Sequence, residues 1–253
     1  MELSKAKIKQ YASLSVKKHR LAEGLFVVEG TKCVLDTLDY FSIESIVATN
    51  EWFELHNSVE LPEEKCMMAT HRQLDQISSL STPPDVLAIY HLPKWEIDYN
   101  LMKQDLTLML DGVQDPGNLG TIMRIADWFG IKQIIASYDT VDIFNPKTIQ
   151  ATMGAISRVK VFYADLAEVL SGMNELPIYG TFLDGKNIYE CDLSNRGIIV
   201  MGNEGKGISS GIRKLVTDSL LIPSYPIGEI TSESLNVGVA TAITVAEFRR
   251  RIK

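Results

Sequence analysis

The sequence predicts an α/β fold in two parts, on three observations. Short β-rich runs alternate with helical patterns along the chain, a proline-bearing break falls near residue 95, and unusual glycine-bearing loops follow directly on later strands. The 253 residues suffice for one large domain or two ordinary ones. Strand–helix alternation implies a mostly parallel sheet covered by helices on both faces.

Taken in order, Lys5 to Leu21 is polar and reads as helix in pieces. Leu25-Phe26-Val27-Val28-Glu29-Gly30 is a short β-rich run ending in a turn residue. A helix follows, with Thr31 as its cap and Val34, Leu35 and Leu38 as its apolar stripe. Strands are expected at 43–48, 65–69 and 86–90, with helices at 51–56 and 71–80 between them. Residues 1–92 therefore form a small α/β domain, and 93–104, opening on Pro93, form a linker. The second domain, 105–253, carries strands at 106–110, 133–137, 159–163, 178–183, 198–201 and 220–222. Its helices are expected at 121–129, 146–155 (Asn145 as cap, Pro146 in the first turn), 166–173 and 234–250.

Composition removes several classes of function. Hydrophobic residues at 45% and charged residues at 23% are ordinary globular values and argue against wholesale disorder. No apolar run approaches the roughly 18 residues that span a bilayer, and the N-terminus lacks the apolar core of a signal peptide, so a cytoplasmic protein without a membrane partner is expected. Cys33, Cys66 and Cys191 are widely spaced, and the four histidines form no ligand pair, so neither a disulfide framework nor a metal site is expected. The net charge of −7 argues against indiscriminate binding to a polyanion. Local charge can override that total: in residues 1–20, Lys5, Lys7, Lys9, Lys17, Lys18 and Arg20 face only Glu2, and the chain ends Arg249-Arg250-Arg251-Ile252-Lys253. By themselves these read as solvated ends.

In open α/β sheets ligands sit outside the carboxyl ends of strands, so the loops there come first. One runs from Asp111 to Gly120 and enters the helix carrying Arg124; Asn118 can cap that helix or present an amide to a ligand. A second, Gly202-Asn203-Glu204-Gly205-Lys206-Gly207-Ile208-Ser209, is neither a Walker loop nor a dinucleotide fingerprint. The third leads from Ile222-Pro223 to Ser234-Leu235-Asn236-Val237, where two polar residues open a helix of small and apolar residues; Ser234 reads as its cap, and Asn236 as a buried amide in need of partners.

In this order and spacing the three loops resemble the signature motifs of the SpoU branch of the SPOUT RNA methyltransferases. The matching stretches are Asp115-Pro116-Gly117-Asn118-Leu119-Gly120-Thr121-Ile122-Met123-Arg124, Val200-Met201-Gly202-Asn203-Glu204-Gly205-Lys206-Gly207, and Ile222-Pro223 with Ser234-Leu235-Asn236-Val237. The first domain, with its Phe26-Val27-Val28-Glu29-Gly30 run, is similar to the ribosomal-protein-like RNA-binding module of many members. The resemblance implies a trefoil-knotted parallel sheet with helices on both faces, a homodimer, and S-adenosylmethionine as methyl donor for a ribose 2'-hydroxyl, in ribosomal RNA more than transfer RNA. It assigns Met201, Gly202, Gly207, Ile222 and Leu235 to the cofactor, and Asn118, Arg124, Glu204, Ser234 and Asn236 to catalysis. Two departures stand out: the 223–234 segment is longer than in typical members, and Gly238 occupies a position where Ser is common.

The implied chemistry needs no metal. An arginine at the position of Arg124 is often assigned as base in the family, yet the strong basicity of a guanidine favours a charged side chain that grips phosphate and stabilises the emerging alkoxide. An RNA-binding module without catalysis would leave three strand-end loops unused, and a nucleotide-binding oxidoreductase would lack its fingerprint after the first strand.

Overall fold

In the computed structural model, which describes residues 3–226, 229 and 232–250, the chain divides into two compact units. Met1–Lys94 cluster with Asp142–Ser157, and Trp95–Val141 with Arg158–Lys253. The first unit is thus not one contiguous stretch: residues 142–157, which lie inside the expected 105–253 domain, join it through their contacts.

The first unit opens with α1 (Lys5–Ser13), whose N-cap Ser4 accepts from the Lys7 amide, and α2 (Lys17–Glu23), which Gly24 stops at φ 66°. There follow β1 (Leu25–Glu29), α3 (Thr31–Leu35), β2 (Ile43–Ala48), α4 (Asn50–Leu55), β3 (Cys66–Met68), α5 (His71–Ile77) and β4 (Val86–His91). The sheet order is β1-β4-β2-β3, with only β2 and β3 parallel, so the mostly parallel expectation fails for this sheet. Thr31 does not cap α3. Gly30 holds that position, and the Thr31 hydroxyl accepts from the Trp52 indole at 2.9 Å.

On one side of this sheet α1 and α5 bury Ile8, Tyr11, Leu14, Leu74 and Ile77 against Val27, Val47, Leu87 and Ile89. Another apolar cluster is aromatic: Phe26 lies 5.2 Å from Phe41, 5.6 Å from Tyr90 and 4.6 Å from Phe144, centroid to centroid. Phe144 comes from the 142–157 segment, which continues as α8 (Pro146–Thr152), capped by Asn145 with proline at its first position as expected. Two buried charges complete the unit. Glu29 accepts from the Ser78 hydroxyl and from the amide and hydroxyl of Ser79, pinning the chain after α5 to the end of β1. Arg20 donates to the carbonyls of Leu14 and Ser15 and pairs with Asp142 at 2.6 Å. Burial pushes the Tyr90 hydroxyl up to about 12, against the opposing hydrogen bond with Thr37.

The second unit begins with α6 (Tyr99–Gln104), a helix inside the expected linker, capped by Asp98. It continues through β5 (Leu106–Asp111), α7 (Pro116–Trp128), β6 (Gln133–Ala136), β7 (Lys160–Tyr163), α9 (Leu166–Ser171), β8 (Ile178–Asn187), β9 (Gly197–Gly202), α10 (Ser210–Arg213), β10 (Asp218–Leu221) and α11 (Val237–Arg250). All six strands are parallel, in the order β10-β8-β9-β5-β6-β7, as expected for this sheet. Met109, Ile135, Ile198 and Val200 share a core with α9 and α10. Helices α7 and α11 pack together. Because β5 and β9 are neighbours, Asp111 pairs in register with Gly202, and two of the three loops leave the sheet side by side.

Two helix starts differ from expectation. Helix α7 begins at Pro116, not Thr121, with Asp115 as N-cap accepting from the Asn118 amide at 2.8 Å. Helix α11 begins at Val237, not Ser234. Its buried stripe, Val237, Thr241, Thr244, Val245 and Phe248, follows helical spacing, while Val239 stays exposed; the helix is buried on one face rather than all round. No helix among the described residues is long and apolar enough to cross a membrane, and among them no His, Cys, Asp and Glu cluster could hold a metal.

Candidate active site

The loop after β5 is fixed first by its neighbours. Gly112, at φ 74°, donates its amide to the Ser137 hydroxyl at 2.9 Å and offers its carbonyl to Asn203 Nδ2 at 2.7 Å. Asn203, the first residue beyond β9, also folds its own loop. Its Oδ1 accepts from the amides of Gly205 and Lys206, and its backbone exchanges two hydrogen bonds with Gly207. Asp111 accepts from the Ser209 amide at 2.7 Å, closing the far side of the same loop. A β-carbon on Gly202 would stand 2.3 Å from the Gly207 carbonyl carbon and the Ile208 nitrogen, so the return of the loop requires glycine there.

On this frame the polar side chains of the three loops meet. Asn118 Nδ2 donates to Glu204 Oε1 at 3.0 Å, and Asn236 Nδ2 donates to Asn118 Oδ1 at 2.8 Å. Asn236 Oδ1 in turn accepts from the amides of Gly238 and Val239, capping α11. A continuous chain of hydrogen bonds thus runs from the second loop through the first to the start of α11. Asn236 is exposed and is itself the cap, which corrects both the buried amide and the Ser234 cap expected from the sequence.

Other expected site residues lie outside this hydrogen-bonded chain. Ser234 is exposed and makes no hydrogen bond among the described residues. Arg124, the ninth residue of α7, is exposed and lies about 9 Å along the helix axis from Asn118, so it is farther into the helix than one turn. It makes no ion pair or hydrogen bond among the described residues. Of the residues expected at the cofactor, Met201 is buried, Gly202 and Ile222 are half-buried, and Gly207, at φ 69°, has open space where a side chain would begin. Leu235 is 48% exposed, a large apolar side chain without a covering layer. Ile227, Gly228, Ile230 and Thr231 of the long 223–234 segment lie outside the described residues. Gly238 brings α11 close to α7: a β-carbon there would meet Thr121 Cγ2 at 3.1 Å and Asn236 Oδ1 at 3.2 Å, a tight fit.

Sequence reasoning missed Asn203 and Asp111 as site-forming residues. The available signal was an Asx side chain immediately at the end of each of the two strands that precede the loops.

Comparison with known proteins identifies the family of both matched regions. The SpoU rRNA Methylase family matches residues 105–246, and the MRM3-like substrate binding domain matches residues 5–88. The 23S rRNA (guanosine(2553)-2'-O)-methyltransferase RlmP of Bacillus subtilis is 29% identical over 246 residues, covering 96% of each chain. Among solved structures, a protein from Porphyromonas gingivalis assigned to the TrmH family of RNA methyltransferases is 38% identical, covers 100% of both chains and superimposes with a TM-score of 0.89. An AdoMet-bound rRNA methyltransferase from Sinorhizobium meliloti is 26% identical, with 100% of this chain and 97% of that chain covered and a TM-score of 0.87. Because the family match spans more than half of the chain and includes every residue of the Glu204–Asn118–Asn236 chain, this protein belongs to the SpoU rRNA methylase family.

Proposed function

We propose that this protein methylates a ribose 2'-hydroxyl in ribosomal RNA, with S-adenosylmethionine as donor, acting as a homodimer in the cytoplasm with the SPOUT-type knot that the resemblance implies. The observation that carries this reading is the hydrogen-bonded chain Glu204–Asn118–Asn236, which couples three separate loops at one end of a parallel sheet. The share of rRNA 2'-O-methyltransferases among the relatives supports the substrate class. Residues 1–92 bind the RNA, 93–104 link, and 105–253 carry the chemistry.

The residues present suit the donor. Gly207 leaves open space where a side chain would begin, beside Met201 and Gly202, while Ile222 and the exposed Leu235 would supply apolar surface for a flat ring. When bound, the donor would supply a methyl group on a sulfonium, to be transferred to the 2'-oxygen as the carbon–sulfur bond breaks. Alignment of the two is the main demand on the protein, and placement can supply roughly 7 kcal/mol or more of barrier lowering. Glu204, Asn118 and Asn236 hold the loops in register, with Ser234 beside the ribose. Arg124 stays charged, grips the target phosphate and stabilises the developing alkoxide, while the hydroxyl proton leaves to phosphate or water.

The test has two steps. Calorimetric titration with S-adenosylmethionine should show binding; a folded protein without affinity for it overturns the reading, and RNA binding alone would then leave a non-catalytic module. Mapping of 2'-O-methyl sites in RNA from cells with and without the protein should then show one lost ribosomal position.

A further inference from the structure

The first unit matches a substrate-binding domain, yet most of its charge would repel a polyanion. Between residues 21 and 94 it carries twelve Asp and Glu against Lys32, Lys65, Arg72 and Lys94. Two of those four cations are spent internally, Lys32 on Asp36 at 2.6 Å and Lys65 on the Ile43 carbonyl. The described residues of the basic C-terminal run are likewise engaged, Arg249 with Asp105 and Arg250 with Glu247. Within the first unit, positive charge is therefore densest on α1 and α2, with Arg72, Lys94 and the exposed Lys147 of α8 standing elsewhere.

Lys5 and Lys9 stand one turn apart on α1, Lys17 and Lys18 open α2, and all four are exposed. Lys5, Lys9 and Lys18 make no ion pair or hydrogen bond among the described residues. Helix stability does not account for them, because Lys5, Lys17 and Lys18 occupy first turns, where the helix dipole disfavours cations. Packing does not account for α2 either. Arg20 is its one buried residue, a strut to Leu14, Ser15 and Asp142, while Val16 and Leu21 remain 51% and 65% exposed. A short helix with one buried side chain, tied to α1 by the hydrogen bond from Gln10 to Glu23 at 2.7 Å and exposed over most of its surface, is presented to a partner rather than packed into a core.

We propose that α1 and α2 form the surface on which this protein grips the RNA phosphate backbone, with Lys5, Lys9, Lys17 and Lys18 meeting phosphates and Val16 and Leu21 lying against sugar or base faces. The inference rests on the reading of the protein as an RNA methyltransferase and adds where its substrate docks. Each lysine that meets a phosphate contributes roughly 0.7–0.9 to the slope of log affinity against log salt.

The test uses the full chain and 23S ribosomal RNA transcribed in vitro, titrated from low to moderate salt. The combined Lys5→Gln, Lys9→Gln, Lys18→Gln variant should lose about two units of slope and bind about a hundredfold more weakly near 0.1 M salt. Its S-adenosylmethionine affinity and thermal midpoint should match the parent. The corresponding triple arginine variant should bind like the parent, and an Arg72→Gln, Lys94→Gln variant should keep the parental slope. Parental slope and affinity in the triple glutamine variant overturn this inference alone, as does an equal loss in the Arg72 and Lys94 variant. A parent chain that binds S-adenosylmethionine but no RNA overturns it as well, whereas a parent that binds neither overturns the proposed function.

Discussion

Asn203→Asp tests whether one side chain couples the first two loops. The substitution keeps size and shape and leaves Oδ1 to accept from the amides of Gly205 and Lys206, but it puts an oxygen where Nδ2 donates to the Gly112 carbonyl at 2.7 Å. Losing that hydrogen bond costs about 1 kcal/mol, and facing two acceptors at contact distance costs about 1–3 kcal/mol more. Asp139 adds to this. Its Oδ2 and Asn203 Nδ2 lie 3.2 and 3.8 Å from the same point beside Gly112, so a new carboxylate would stand near an existing one, with repulsion on the order of 1 kcal/mol when partly solvated. A total of about 3–5 kcal/mol should lower the thermal midpoint by about 6–20 °C in a chain of this size. Calorimetry should also show donor affinity reduced at least about tenfold, since both loops lose their preset positions. A variant that melts within a degree of the parent and binds the donor equally well would refute the coupling.

Asn118→Ala should leave stability within about 1 kcal/mol, because the side chain is only half-buried, yet lower single-turnover methylation by about a hundredfold through misplacement of Glu204 and Asn236; unchanged turnover would exclude a positioning role. Gly202→Ala forces a β-carbon into backbone atoms at 2.3 Å, so donor binding should be abolished and the loop amides of 203–207 should exchange faster with deuterium. Arg20→Leu leaves Asp142 without its partner in a mostly buried site and should cost about 3–5 kcal/mol in urea unfolding of the first unit, with Arg20→Lys recovering part of the loss. Tyr90 keeps its proton longer in the folded state, ordinary value 10 against about 12, so stability should hold below pH 10. It should then fall by about 2–3 kcal/mol as pH rises towards 12; Tyr90→Phe should remove that alkaline limb.

The strands were legible because their signal is local: runs such as Ile43–Ala48 and Leu106–Asp111 are apolar, β-rich and bounded by turn residues, and the structure keeps them nearly to the residue. Helix starts were less so, because several residues competed for each cap. At α7 the Asp115-Pro116 pair supplies both a cap and a first-turn proline, a stronger signal than Asn118, whose amide is left to face Glu204. At α11, Ser234 and Asn236 are equivalent by propensity, and contact of Asn236 with Asn118 selects between them. Helix α6 was hidden by its brevity and by Pro93 nearby. The location of the site was legible in three strand-end loops, but its wiring was not: which amide meets which carboxylate depends on β5 and β9 being neighbours, and residues 91 positions apart in the chain must meet for Asn203 to reach Gly112.

The detour of residues 142–157 constrains how such a protein can be rebuilt or exchanged piecewise. The polypeptide passes from one unit to the other three times, after residues 94, 141 and 157, so neither unit can be excised with a single cut. A chimera that imports a foreign N-terminal segment but keeps this detour would present Phe144 to a cavity shaped for another side chain and Asp142 to whatever replaces Arg20. Transplantation therefore succeeds only when both stretches travel together, as two halves of one key.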